Sequence, residues 1–307
     1  MALHIETPLI HSHPLSAAAG RRVRLKLEAL QPPGSFKIRG VGAACEVHAR
    51  AGKRRFICSS GGNAGLAMAF AGRQLGVPVT VVVPENTPER AREALRREGA
   101  DLRVHGAAWH EANELALSLV GPEDAFIHPF DDPLLWSGHA SLVDEAVRQG
   151  PRPGAVVLSV GGGGLFSGVV EGLRRNGWDD VPVVTVETRG AASFAAAREA
   201  GTAVTLEALA TCAGSLAARR VCDRAAELAR LHPVRSHQVS DREALRACER
   251  FLDDHRLLVE PACGAALAAL YGECPALEDV DDVLVVVCGG VTASLEQIRA
   301  WYAQAVY

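Results

Sequence analysis

The sequence predicts an α/β protein whose parallel sheets are covered by helices on both faces. Three observations predict it. Short β-rich runs alternate with Ala-, Leu- and Arg-rich stretches of helical length along the whole chain. Runs such as Val79 to Val83 and Val283 to Val287 are almost wholly apolar, as strands buried on both sides must be. Four runs end in residues suited to ligands, at the C-terminal strand ends where open α/β sheets bind them: Cys58-Ser59-Ser60, Gly161 to Gly164, Glu187 and Cys288-Gly289-Gly290.

In chain order, RLKLE at 24–28 precedes a helix expected over 36–51, and FICSS at 56–60 precedes one over 63–75. VTVVVP at 79–84 leads to a helix over 88–98, DLRVHG at 101–106 to one over 109–119, and a further helix is expected over 134–149. AVVLSV at 155–160 leads to a helix over 164–175. VPVVTVE at 181–187 is followed by helices over 216–231, 241–254 and 263–272, and VLVVVC at 283–288 by one over 293–305. With no internal repeat, low-complexity tract or long linker, any division into domains must come from topology.

Composition bounds the function. The 307 residues are 48% apolar and 22% charged, with a formal charge of -4, so there is ample core material and no basic field to hold nucleic acid. The opening MALHIETPLIHSHP lacks the basic and apolar regions of an export signal, and no apolar stretch approaches the roughly 20 residues that span a bilayer. No membrane partner is expected. The cysteines, at 45, 58, 212, 222, 248, 263, 274 and 288, include no CxxC pair and no His at zinc spacing, and read as reduced thiols of a cytoplasmic protein.

Four stretches carry chemistry. AVVLSVGGGGLFSGVVEGL is a buried strand, four glycines and a helix start. Glycines let backbone N–H groups converge on an anion, and the helix dipole adds to the attraction, so the stretch reads as a phosphate cradle or as a tight turn. It is neither a P-loop nor a complete GxGxxG. Glu187, about 20 residues on, stands where a dinucleotide fold keeps its ribose-binding acid, which leaves a dehydrogenase open. SSGGNAG at 59–65 is a second site of the same physical kind, with Asn63 as side-chain donor and N-cap, the alternative being an ordinary capped helix. In QPPGSFKIRG the turn before Lys37 can aim it inward beside Phe36, and lysine is the residue that forms a Schiff base with pyridoxal phosphate. Cys288 ends the last strand as a small buried hydrophobe or as a neighbour of that cofactor's ring nitrogen, which a thiol would not hold protonated.

These residues resemble the fold type II pyridoxal phosphate enzymes, the tryptophan synthase β-like class, and within them the L-serine/L-threonine dehydratases of the serine dehydratase and serine dehydratase-like kind. The resemblance runs nearly end to end through TPLIHS, LKLEALQPPGSFKIRG, CSSGGNAG, GRQLGVPVTVVVP, PFDDPLLWSGHASLVDE, LSVGGGGLFSGVVEGL, LVEPACGAALAALY and VVVCGG. It implies two open, twisted, mostly parallel sheets flanked by helices. A small domain of residues 36–134 would be inserted into a large cofactor-binding domain of 1–35 and 135–307.

It also implies roles. Lys37 would bind the cofactor covalently and then act as general base. Phe36 would lie against the ring, Asn63 bond its hydroxyl, Gly161, Gly162, Gly163, Gly164 and Leu165 bind the phosphate, and Cys288 face the ring nitrogen. Backbone groups of Ser60, Gly61, Asn63 and Ala64 would hold the substrate carboxylate. Glu187, Ala191 and Ser193 would surround a monovalent cation, K+ being the candidate. The expected activity is α,β-elimination from L-serine or L-threonine by a cytoplasmic homodimeric ammonia-lyase. Its rivals are cysteine synthase-like or racemase chemistry and a weakly active cofactor-binding protein.

The chain departs from the family pattern at Gly61, where a serine racemase carries a hydroxyl, at Ala192, where relatives show His, and along ATCAGSLAARR. Gly61 in place of Ala implies lower activity. With the sequence stopping at Tyr307, no regulatory domain is expected.

Overall fold

Valine-rich runs of five or six residues cannot satisfy their backbones alone, and here they pair into two sheets. The computed structural model describes residues 2–304. The chain begins with Leu9–His11 (β1), His13–Ala19 (α1) and Arg22–Lys26 (β2), then runs through Lys37–Arg50 (α2), Arg55–Cys58 (β3), Asn63–Leu75 (α3), Val79–Val83 (β4), Glu89–Arg97 (α4), Asp101–Val104 (β5), Trp109–Ser118 (α5), Asp124–Phe126 (β6) and Pro133–Gln149 (α6). It continues with Ala155–Ser159 (β7), Gly164–Arg175 (α7), Val183–Thr188 (β8), Ser193–Ala200 (α8), Asp223–Leu231 (α9), Val234–Val239 (β9), Asp241–His255 (α10), Pro261–Tyr271 (α11), Asp282–Val286 (β10) and Leu295–Gln304 (α12).

The four-stranded sheet has the order β5-β4-β3-β6 and is parallel throughout. The six-stranded sheet has the order β1-β2-β10-β7-β8-β9 and is parallel except for β1. Sequence polarity sorts the strands: β4, β7 and β8 are buried at every position and lie inside their sheets, whereas the charged β5 and the half-exposed β9 are edges. Each sheet has its own apolar core, and α2 and α6 pack on each other between them.

The alternation of strands and helices predicted the interior elements, and the differences have physical causes. Residues 217–222 are not helical: a single 3-10 turn ends at Leu216, α9 starts at Asp223, and between them the Cys222 N–H is turned to Gly162 O at 2.9 Å. The strands β1, β6 and β9 and the helices α1 and α8 are too short or too polar to make an apolar run. α11 starts two residues early because Pro261 suits the first helical position. The last expected helix begins at Leu295, and residue 305 lies outside the described residues.

One knot of charge is sealed where β2, α2 and α6 meet. Arg39 of α2 is fully buried. It donates to Glu28 at 2.7 and 2.8 Å and to Glu145 of α6 at 2.7 Å from each of two nitrogens. Lys26 of β2 donates to the same Glu145 at 2.6 Å, and the Thr7 hydroxyl to Glu28 at 2.7 Å. Two cations and two anions thus neutralise each other with nearly every hydrogen-bonding position filled, the condition for charges to survive burial. Burial by itself raises the Glu145 pKa, but Arg39 and Lys26 outweigh it and hold the carboxyl below the usual carboxylate range.

Replacing Arg39 by Met leaves Glu28 and Glu145 with one lysine between them, and should cost about 3–5 kcal/mol in denaturant unfolding. A carboxyl whose folded pKa is depressed contributes stability above its unfolded pKa and loses it as pH falls through the folded value. The wild type should therefore weaken on acidification more steeply than Arg39→Met.

Candidate active site

The site is built on a backbone seam. Beyond β10 the chain passes antiparallel to the turn that precedes α2: Phe36 N–H donates to Cys288 O at 3.1 Å, Ser35 pairs with Gly289, and Gly290 N–H donates to Gly34 O at 2.8 Å. Gly289 has φ +86°, and a Cβ there would collide with Gly34 O and Ala29, so the seam closes only on glycine. It places Lys37, the first residue of α2, beside Cys288.

The Lys37 ammonium donates to Pro129 O at 2.6 Å and lies 5.2 Å from the centroid of the Phe36 ring. It has no carboxylate partner. Burial pulls its pKa from 10.5 down to about 8, against the opposing pull of Cys288 and Glu260. Phe36 packs at 4.9 Å, ring to ring, against His139 of α6, which is fully buried with no hydrogen-bond partner on either nitrogen. Burial holds His139 well below its ordinary pKa, so the wall behind Phe36 is uncharged.

The glycine run lies on the other side of the Pro129 loop. Side chains at Gly162 and Gly164 would strike Phe130, the residue after Pro129, and one at Gly161 would come within 2.8 Å of Leu216. Gly163 takes φ +91° as the cap of α7 and offers no side-chain acceptor to the helix. Among the described residues, the amides of Gly161 through Leu165 donate to no protein group. These are open N–H groups at the positive end of a helix that carries no acid in its first turn, and they fit a phosphate.

The second cradle, between β3 and α3, has the same character. The N-cap of α3 is Gly62, not Asn63, and makes no side-chain cap. Asn63 is the first helical residue, freed from capping because its Nδ2 donates to Glu260 at 2.7 Å and to Ser215 at 3.3 Å, and its Oδ1 accepts from Val291 N–H at 3.3 Å. Gly61, Asn63 and Ala64 have amides with no protein acceptor among the described residues, while Ser60 accepts a long bond from Gly62 N–H at 3.4 Å. A Cβ at Gly61 would come within 2.9 Å of Thr87 and 3.1 Å of Val83, so alanine here would crowd the wall.

Cys288 is buried. The hydrogen bond to Cys263, together with burial, pushes its thiol well above the ordinary value and keeps it neutral. Lys37, Phe36, Cys288, Asn63 and the glycine run are joined through Pro129-Phe130, Ser215-Leu216 and residues 288–291. Glu187 stands apart. Its carboxylate accepts the Phe194 and Ala195 amides at 2.7 and 2.9 Å, and burial raises its pKa to about 7. Ala191 and Ser193 are buried nearby, and the Ser193 hydroxyl has no partner. Glu260, Ser215, Thr292, Pro129 and His139 escaped the sequence reading. Glu260 alone left a signal, as the single charge in the apolar stretch LLVEPACGAALAALY.

The cradle of open amides, a lysine without a carboxylate partner among the described residues and a neutral thiol beside it together fit pyridoxal phosphate. The profile of the "Pyridoxal-phosphate dependent enzyme" family matches residues 2–289. The chain is 49% identical over 309 residues to the L-serine dehydratase/L-threonine deaminase of Homo sapiens, covering 97% of this chain and 94% of that protein. It is 50% identical over 311 residues to a serine dehydratase-like protein of Rattus norvegicus, covering 96% and 93%. Its fold superposes on the crystal structure of an L-serine ammonia-lyase from Rhizomucor miehei with a TM-score of 0.93, at 37% identity and with both chains fully covered.

The depressed proton affinity of Lys37 is directly measurable. Amine-selective labelling of the cofactor-free protein, read by peptide mass spectrometry, should reach half its maximal rate at Lys37 near pH 8. In the same protein, Gly162→Ala should drive the Phe130 ring aside and weaken cofactor binding, measured by fluorescence titration, by about tenfold or more.

Proposed function

The chain belongs to the pyridoxal-phosphate-dependent enzymes of fold type II, and on that premise we propose that it is an ammonia-lyase converting L-serine and L-threonine to the corresponding 2-oxo acids and ammonia. One observation carries the reading: a lysine whose proton affinity is lowered by burial sits beside a thiol that stays neutral, between two cradles of open amides.

In this reading Lys37 holds the cofactor covalently, Phe36 covers its ring, Asn63 meets the ring hydroxyl, the amides of Gly161 through Leu165 hold the phosphate, and Cys288 faces the ring nitrogen. When bound, the cofactor supplies the sink for the electron pair released at the substrate's α-carbon. The backbone of Ser60, Gly61, Asn63 and Ala64 binds the substrate carboxylate and so points the α-hydrogen at Lys37. Once displaced by the substrate amine, Lys37 takes that proton, and its low pKa keeps a useful fraction of it unprotonated below pH 8. A neutral Cys288 supplies no negative charge to hold the ring nitrogen protonated. With its ring nitrogen unprotonated the cofactor would be a weaker electron sink, which would favour expulsion of the β-hydroxyl over transamination. Gly61 brings no hydroxyl to the site, which favours elimination over racemisation.

The same reading makes residues 36–134 a small domain inserted between 1–35 and 135–307, with the cofactor in the cleft, and the protein a homodimer. A monovalent cation, K+ being the candidate, lies at Glu187, Ala191 and Ser193, where the unpartnered Ser193 hydroxyl supplies an oxygen beside the buried carboxylate. The eight cysteines are all free, which supports a reducing, cytoplasmic setting. Among the described residues no helix is long and apolar enough to cross a membrane.

Purified protein with pyridoxal phosphate should release 2-oxo acid from L-serine and from L-threonine in a dehydrogenase-coupled assay, and Lys37→Ala should lower the rate by about a thousandfold or more. A wild type that binds the cofactor yet forms no 2-oxo acid from either substrate refutes the assignment.

A further inference from the structure

Glu260 occupies the N-cap of α11 but does not cap it. An acid in that place ordinarily turns back onto its own helix's amides, a contact that lowers the cost of the helix end. Here the side chain leaves the helix and crosses to the cleft, where it is 3% exposed. Oε1 accepts from Asn63 Nδ2 at 2.7 Å and Oε2 from the Thr292 hydroxyl at 2.5 Å. The chain beyond β10 is shaped around it: Gly290 has φ +114°, and a Cβ there would collide with the carboxyl group. The two glycines of VVVCGG therefore serve different neighbours, Gly289 the seam under Lys37 and Gly290 the carboxylate of Glu260.

An ionised carboxylate only accepts, so it dictates which end of the Asn63 amide faces it. The nitrogen turns to Glu260, and the oxygen turns to Val291 N–H at 3.3 Å. The second Nδ2 hydrogen meets Ser215 Oγ at 3.3 Å, a long bond and the one a stronger acceptor in the cleft would take over. Asn63 begins α3 of the four-stranded sheet, whereas Glu260 and Thr292 belong to the elements around the six-stranded sheet. The same carboxylate thus bridges the two halves of the site.

We propose that Glu260 is a positioning residue: by accepting one hydrogen of the Asn63 amide it fixes that amide's orientation, presents the other hydrogen to the ring hydroxyl of the bound cofactor, and ties α3 to the strap 289–292. This deepens the reading of Asn63 given above and rests on it. Burial raises the Glu260 pKa, and the hydrogen bonds from Thr292 and Asn63 oppose the rise.

The rival role for Glu260 is electrostatic, as a negative charge acting on Lys37, and two substitutions separate the two. Glu260→Gln keeps an acceptor of the right reach for Asn63 and can donate to Thr292, whose hydroxyl reverses. Glu260→Asp keeps the charge but withdraws it by one methylene. Each is made alone and with Asn63→Ala, and pyridoxal phosphate affinity is measured by fluorescence titration of the cofactor-free protein beside the pH midpoint of Lys37 labelling.

Positioning requires that Gln bind the cofactor within about threefold of wild type, that Asp weaken binding about tenfold or more, and that the Asp effect vanish in the Asn63→Ala background. The inference is overturned if Gln weakens binding and shifts the Lys37 midpoint while Asp does neither, since Glu260 then acts by charge. It is equally overturned if Asp costs as much without Asn63 as with it, or if neither variant changes affinity. A wild type that takes up no cofactor would instead fault the functional reading itself.

Discussion

The antiparallel seam between residues 34–36 and 288–290 is the constraint on which the site depends. It joins the start of α2 to the end of β10, elements some 250 positions apart in the chain, and no side chain takes part in it. Because only backbone meets backbone, the two strands approach closely enough to set Lys37 beside Cys288, and glycine is required where the approach is tightest. Phe36, Asn63 and Glu260 are then arranged by what the seam leaves accessible: Phe36 is turned against His139, while Val291 and Thr292 reach Asn63 and Glu260.

Two buried lysines show how environment divides structural from chemical roles. Lys26 is fully enclosed, yet it meets Glu145 at 2.6 Å, the Thr7 carbonyl at 2.7 Å and Gln149 at 2.8 Å. Lys37 has a single carbonyl and an aromatic face. Burial lowers the proton affinity of both, but the adjacent carboxylate holds Lys26 in its charged form, whereas nothing comparable holds Lys37. The charge knot around Arg39 anchors α2 two residues beyond Lys37, while the Lys37 amine itself is held by one carbonyl.

Both proposed anion cradles are built without cations. Neither cradle has an Arg or Lys in its glycine-rich loop; each uses helix N-terminal amides left open by residues too small to cap them. Backbone donors cannot titrate and cannot swing away, and their spacing is set by the helix itself. The cost is sequence that tolerates little change, since Gly161 is pressed against Leu216 and Gly162 and Gly164 against Phe130.

Much of this was legible in the sequence because it follows from local rules. Apolar runs of strand length, alternating with Ala- and Leu-rich segments, determine parallel sheets with covered faces, and strand–glycine–helix junctions are where helix N-terminal amides are left open. Lys37, Asn63, the four glycines and Cys288 could be singled out on their chemistry alone. Only the tertiary structure decided the rest. It withdrew the cap from Asn63 and gave its amide to Glu260, kept residues 217–222 out of the helix where Cys222 meets Gly162, and brought Pro129, Ser215 and Thr292 to the site. None of these has a periodic or compositional mark, because each is a meeting of residues far apart in the chain. A hydrogen bond between positions 63 and 260 is fixed by how two sheets pack, and no window of sequence contains both partners.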